Sequence, residues 1–149
     1  MAEYLANAVQ TVQVGNPIIF TASIPCNRGY IYHEDETGIF TLRGICNNPC
    51  NQFARYQVTF NGNIAVPTGG TVGPIAVAIA VSGEPRPTSR AIVTPAAVEE
   101  HNNVTSTCIV TVPRGCCFNM SVEAVAAADD AATTTIEVQN SNLVITRIA

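Results

Sequence analysis

Turn-forming residues (Gly, Pro, Asn, Thr) interrupt this chain about every ten positions, the spacing of short strands in an antiparallel sandwich or barrel. The stretches between them are rich in β-branched and aromatic residues, and none sustains a helical period. Read this way, the sequence places strands at 11–14, 17–24, 29–33, 38–45, 52–60, 74–82, 89–94, 104–112, 116–125, 134–139 and 142–148. Residues 122–132, rich in alanine, read as a strand end and a loop rather than a helix. A chain of 149 residues is expected to form one domain, 1–149, with residues 1–16 as an N-terminal arm.

Two runs say most about packing. In "GPIAVAIAVSGEP", Ile75, Val77, Ile79 and Val81 alternate with Ala76, Ala78 and Ala80, so one face is bulky and the other small, and both are apolar. Such a strand needs cover on both sides. In "FARYQVTFNGNIAV", Phe53, Arg55, Gln57 and Thr59 point one way and Ala54, Tyr56, Val58 and Phe60 the other. Asn61-Gly62 follows, a strong hairpin signal because both turn positions favour positive φ. "GEPRPTSR" reads as a loop, since Pro85 and Pro87 lack amide donors. "VPRGCCF" reads as a tight turn that brings Cys108 and Cys116 to one side of a hairpin.

Charge narrows the function. Only 12% of residues are charged, and the seven basic residues are all arginine, scattered singly. With a net charge of -4 and no basic cluster, nucleic acid is not an expected partner. The absence of lysine excludes Schiff-base chemistry and a Walker-type phosphate loop. No apolar run approaches the roughly 20 residues of a membrane helix, and the N-terminus lacks the pattern of a secretory signal. Synthesis in the cytoplasm without a signal peptide is the expectation.

Six cysteines allow 15 pairings, so spacing alone leaves the connectivity open. "CNNPC" makes Cys46 and Cys50 the candidate disulfide, or half of a zinc site that lacks a second ligand pair. Cys108 and Cys116 are a cross-strand pair or two buried small hydrophobes, and a reducing cytosol favours the latter. His33 ("YHEDE") and His101 ("EEHNN") are the two imidazoles, both in polar loops with no nucleophile set beside them by sequence. No catalytic, cofactor-binding or metal-binding residue is assigned. The acidic pairs at 33–36 and Asp129-Asp130 lack the alternating oxygens and glycine of a calcium loop. Asn103 and Asn119 head glycosylation patterns that matter only in a secretory pathway.

The order of "ARYQVTFNG", "IAVAIAVSGEPRPTSR", "NVTSTCIVTVPRGCCFNMSV" and "NSNLVITRIA" resembles the bacterial branch of the TNF/C1q-like jelly rolls. That branch includes the C-terminal heads of collagen-like spore-surface glycoproteins, although no Gly-X-Y stalk is present here. "CNRGYIYHEDETGIFTLRGICNNPCNQ" is similar to small proteins of gut Firmicutes and their prophages. The resemblance implies an all-β, antiparallel β-sandwich of about ten strands that assembles as a homotrimer, with Tyr56, Val58, Phe60, Leu143 and Ile145 at the trimer core. It also implies a non-enzymatic structural or binding module on a phage virion, as head decoration or fibre tip, or on a bacterial particle. Its other partner would be a capsid or particle protein, or a surface glycan. The alternative is a stand-alone carbohydrate-binding module or adhesin. The chain has no Trp, and Tyr4, Tyr30, Tyr32 and Tyr56 make a thin stacking platform for sugars.

Overall fold

A computed structural model describes residues 1–24, 29–46, 50–128 and 134–149. Among them, twelve strands form two antiparallel sheets packed face to face, with no α-helix. The first sheet runs β10 (Asn102–Pro113), β6 (Phe53–Ala65), β12 (Thr135–Arg147), β1 (Ala2–Ala6) and β3 (Ala22–Ile24), and β2 (Gln10–Gln13) lies beside β12. The second runs β4 (Ile31–His33), β5 (Phe40–Arg43), β11 (Cys117–Val125), β7 (Ile75–Val81) and β8 (Glu84–Pro85), with β9 (Ala91–Val93) also on β7. From β5 onward the chain changes sheet at almost every connection, so most contacts are long in sequence.

The core lies between the sheets, where the two-residue period of each strand delivers its bulky side chains. Tyr56, Val58 and Phe60 of β6 meet Ile75, Val77 and Ile79 of β7, Met120 and Val122 of β11, and Leu143 and Ile145 of β12. At one end, Phe40 packs edge-on against Tyr4 (4.7 Å) and Phe20 (5.6 Å), and His33 stacks on it at 4.3 Å. A core dominated by β-branched and aromatic residues fits a pleated, half-buried surface.

Several expectations change here. Residues 2–6 are an interior strand of the first sheet, paired with both β12 and β3, rather than an arm. Asn61-Gly62 makes no turn: β6 runs straight through it, and Gly62 does not have a positive φ. The glycine is needed for a different reason, because a Cβ there would lie 2.8 Å from the Phe60 ring two residues earlier on the same face. The strands read at 134–139 and 142–148 are one strand with an irregularity at Asn140, whose φ is 52°. The turn 113–116 joins different sheets, so β10 and β11 are not a hairpin and Cys108 and Cys116 are not cross-strand neighbours. "GEPRPTSR" holds β8 and a 3-10 turn, Pro87–Ser89; the buried Ser89 hydroxyl accepts from the Ile79 amide at 2.9 Å.

Candidate interaction surface

The alternation that fills the core also decides what the first sheet shows to the outside. β6 sends out Arg55, Gln57, Thr59, Asn61 and Asn63, and β10 sends out Asn103, Thr105, Thr107, Ile109 and Thr111. In register, Gln57 lies opposite Ile109, Thr59 opposite Thr107 and Asn61 opposite Thr105. The Thr59 and Thr107 hydroxyls are 3.2 Å apart, and Asn103 Nδ2 donates to Asn61 Oδ1 (2.7 Å) and Asn63 Oδ1 (3.1 Å). β12 adds Asn142, Val144 and Thr146, and β1 adds Glu3 and Leu5, with Asn142 Nδ2 donating to Glu3 Oε1 at 2.5 Å.

Part of this face is mutually hydrogen-bonded and part of it is apolar. Ile109 is 52% exposed and Phe53, on the same side of β6, 49%. On β1, β6, β10 and β12 its charged side chains are Glu3, Arg55 and Glu137. Polar groups already paired with one another lose little when water is removed, so this face can be covered at low desolvation cost.

The five residues expected at a trimer core stand elsewhere. Tyr56, Val58, Phe60, Leu143 and Ile145 are wholly buried inside one chain, between its own sheets. Their strands are central, but a neighbouring copy would meet the opposite side of those strands.

The other expected residues are dispersed. Cys46 is an exposed thiol, and the residues between it and Cys50 lie outside those described. Cys108 is half-buried against the core, and that burial raises its thiol pKa, with the Arg86 guanidinium pulling it down. Cys116 and Cys117 are exposed, free and near Cys46. His33 Nε2 lies 2.9 Å from the Thr37 carbonyl, and His101 Nε2 lies 3.8 Å from Glu137 Oε2. Among the described residues, no group of His, Cys, Asp and Glu is arranged to hold a metal. Asp129-Asp130 lies outside them. The stretch "NGNIAVPTGG" begins inside β6, and its Ile64, Ala65 and Val66 are buried.

The three thiols belong to a feature that sequence reading missed. At the end of the sandwich where β5, β6, β10, β11 and β12 meet, a cavity of about 500 Å³ is lined by Tyr30, Arg43, Cys46, Cys116, Cys117 and Arg147, among others. Its walls are held by a core residue. The Tyr56 hydroxyl donates to the Arg43 carbonyl at 2.5 Å and lies 3.4 Å from that of Tyr30, which also accepts from the Arg43 amide at 2.9 Å. Gly44 donates to the Cys116 carbonyl at 2.8 Å, and a Cβ on Gly44 would sit 2.2 Å from the Pro113 oxygen, so this close approach requires glycine. Arg43 and Arg147 are too far apart in sequence for any spacing rule to join them.

No protein-family model matches the sequence, and no curated protein matches it. Solved structures do match. The globular domain of the zebrafish complement 1qA protein superposes with a TM-score of 0.57 at 14% identity, over 96% of this chain and 94% of that one. Eiger TNF from S. frugiperda superposes with a TM-score of 0.62 at 8% identity, over 100% of this chain and 92% of that one. At such identities the likeness is one of fold, and the two-sheet, all-antiparallel architecture agrees with it. The chain is an all-β sandwich with the jelly-roll fold shared by the C1q and TNF globular domains.

Proposed function

We propose that this protein is a non-enzymatic, homotrimeric structural or binding module whose copies meet through the outer face of the first sheet. The observation that carries this is the exposed row around Ile109 and Phe53, which is poor in charge and partly hydrogen-bonded within itself. Closed rotational symmetry buries such a face without leaving it open to further copies. The sequence resemblance to trimeric jelly rolls supports the number three. Its spore-surface and prophage side supports placing the module on a virion or bacterial particle, with a capsid protein or surface glycan as its further partner.

Native mass measurement at micromolar concentration tests the assembly. Ile109→Asp places a charge at an exposed apolar position of the face and is expected to give monomers with unchanged circular dichroism and a stability changed by no more than about 0.5 kcal/mol beyond the loss of assembly, as for exposed sites. A monomeric parent chain overturns the reading. So does a trimer that Ile109→Asp leaves intact.

A further inference from the structure

Arginine is the chain's sole fixed side-chain cation, and seven of them face eleven carboxylates in the whole sequence. Even so, Arg43 and Arg147 line the same cavity, and no Asp or Glu is among its described lining residues. Neither guanidinium is ion-paired to an acidic side chain among the described residues, where the one ion pair is His101 with Glu137. Arg147 is held in place: its guanidinium carbon lies 4.3 Å from the centre of the Tyr30 ring, and its Nε donates to the Ala149 main-chain oxygen at 3.1 Å. No hydrogen bond from its terminal nitrogens is found among the described residues. The Arg43 side chain makes no hydrogen bond within the described chain, while its backbone is fixed on both sides through Tyr30 and Tyr56.

Two arginines thus line one concave site that has no acidic residue among its described lining, and an anion is the class of ligand that complements them. Guanidinium groups offer planar forks of N–H donors that match carboxylate, sulfate and phosphate oxygens. The volume of about 500 Å³ exceeds what a bare anion fills and falls in the range of small-molecule sites. We propose that this cavity binds a ring-sized organic anion, such as an acidic or sulfated monosaccharide, through its charged group on Arg43 and Arg147. The proposal is independent of the assembly face, which lies on the outside of the first sheet.

The test is a titration of the full chain at low ionic strength, followed by amide NMR, with glucuronate, glucose 6-sulfate, inorganic sulfate and neutral glucose as probes. Glucuronate or glucose 6-sulfate should shift resonances at Arg43, Gly44, Gly115 and Arg147 and slow alkylation of Cys116 and Cys117, which share the cavity. Loss of one charge-assisted contact, in Arg43→Ala or Arg147→Ala, should weaken binding about tenfold, and Arg43→Lys less than Arg43→Ala. Preserved amide dispersion shows that each variant is folded. Glucose binding as well as glucuronate, sulfate binding as tightly as the ring-sized anions, equal shifts at Arg86 and Arg90, or no saturable shift would each overturn the proposal.

Discussion

On β7 the outward side chains are Ala76, Ala78 and Ala80, and all three are buried within the chain; Val125 and Ala127 pack against that side. On β10 the outward side chains are Asn103, Thr105, Thr107, Ile109 and Thr111; the first four are exposed and Thr111 is half-buried. By sequence the first strand seemed the one in need of a neighbour, because both of its faces are apolar. The contrast shows that apolarity alone does not mark a shared surface. A row of alanines lies close enough to the backbone for the same chain to cover it, whereas a row of β-branched and carboxamide side chains left open marks what remains for another molecule.

The largest effect that bears on this contrast is expected at Phe60, which had been expected at a trimer axis but is buried between the sheets. Phe60→Ala should cost about 3–5 kcal/mol, the usual range for such a cavity. Chemical denaturation should show this loss in the Ile109→Asp monomer as well. A loss confined to the assembled form would return Phe60 to the interface.

A matched pair of substitutions then compares the two outward faces directly. Ala78→Leu adds volume to a closed site and should destabilise by about 1–3 kcal/mol. Thr107→Leu adds similar bulk to an open one and should change monomer stability by no more than about 0.5 kcal/mol. Equal effects at both sites would remove the distinction between a closed face and an open one.

The smallest effect concerns the inward side of β10. Cys108 is half-buried against the core, whereas Cys116 and Cys117 are exposed. Burial favours the neutral thiol, so its thiolate should appear above the ordinary range near 8.5. Alkylation followed by mass spectrometry should therefore label Cys116 and Cys117 first, with Cys108 catching up only as the pH is raised. Equal labelling rates would place Cys108 in solvent and weaken the account of β10 as a strand with one covered side.

Much of this was legible in the residues themselves. The alternation in β6 and β7 sorted the side chains into the right two faces, because a pleat leaves no freedom about which neighbour points where, but left open which face turns inward. The turn spacing was enough for two sheets of antiparallel strands. Asn61-Gly62 was misleading because a dipeptide suited to a turn is also tolerated in a strand, and the Phe60 ring needs the missing Cβ of Gly62. Residues 2–6 were passed over because a strand between two partners is identified by what pairs with it, here β12 and β3.

Local chemistry in the chain determined the all-β class, the division of side chains into two faces on the long strands, and the lack of lysine-based chemistry. Tertiary structure decided which outward faces are closed, that Tyr56 supports a cavity wall from below, and that Arg43 and Arg147 line one cavity. The physical reason is distance along the chain: side-chain direction within a strand is set by its immediate neighbours, whereas cover and convergence depend on segments a hundred residues apart that meet only when the two sheets close.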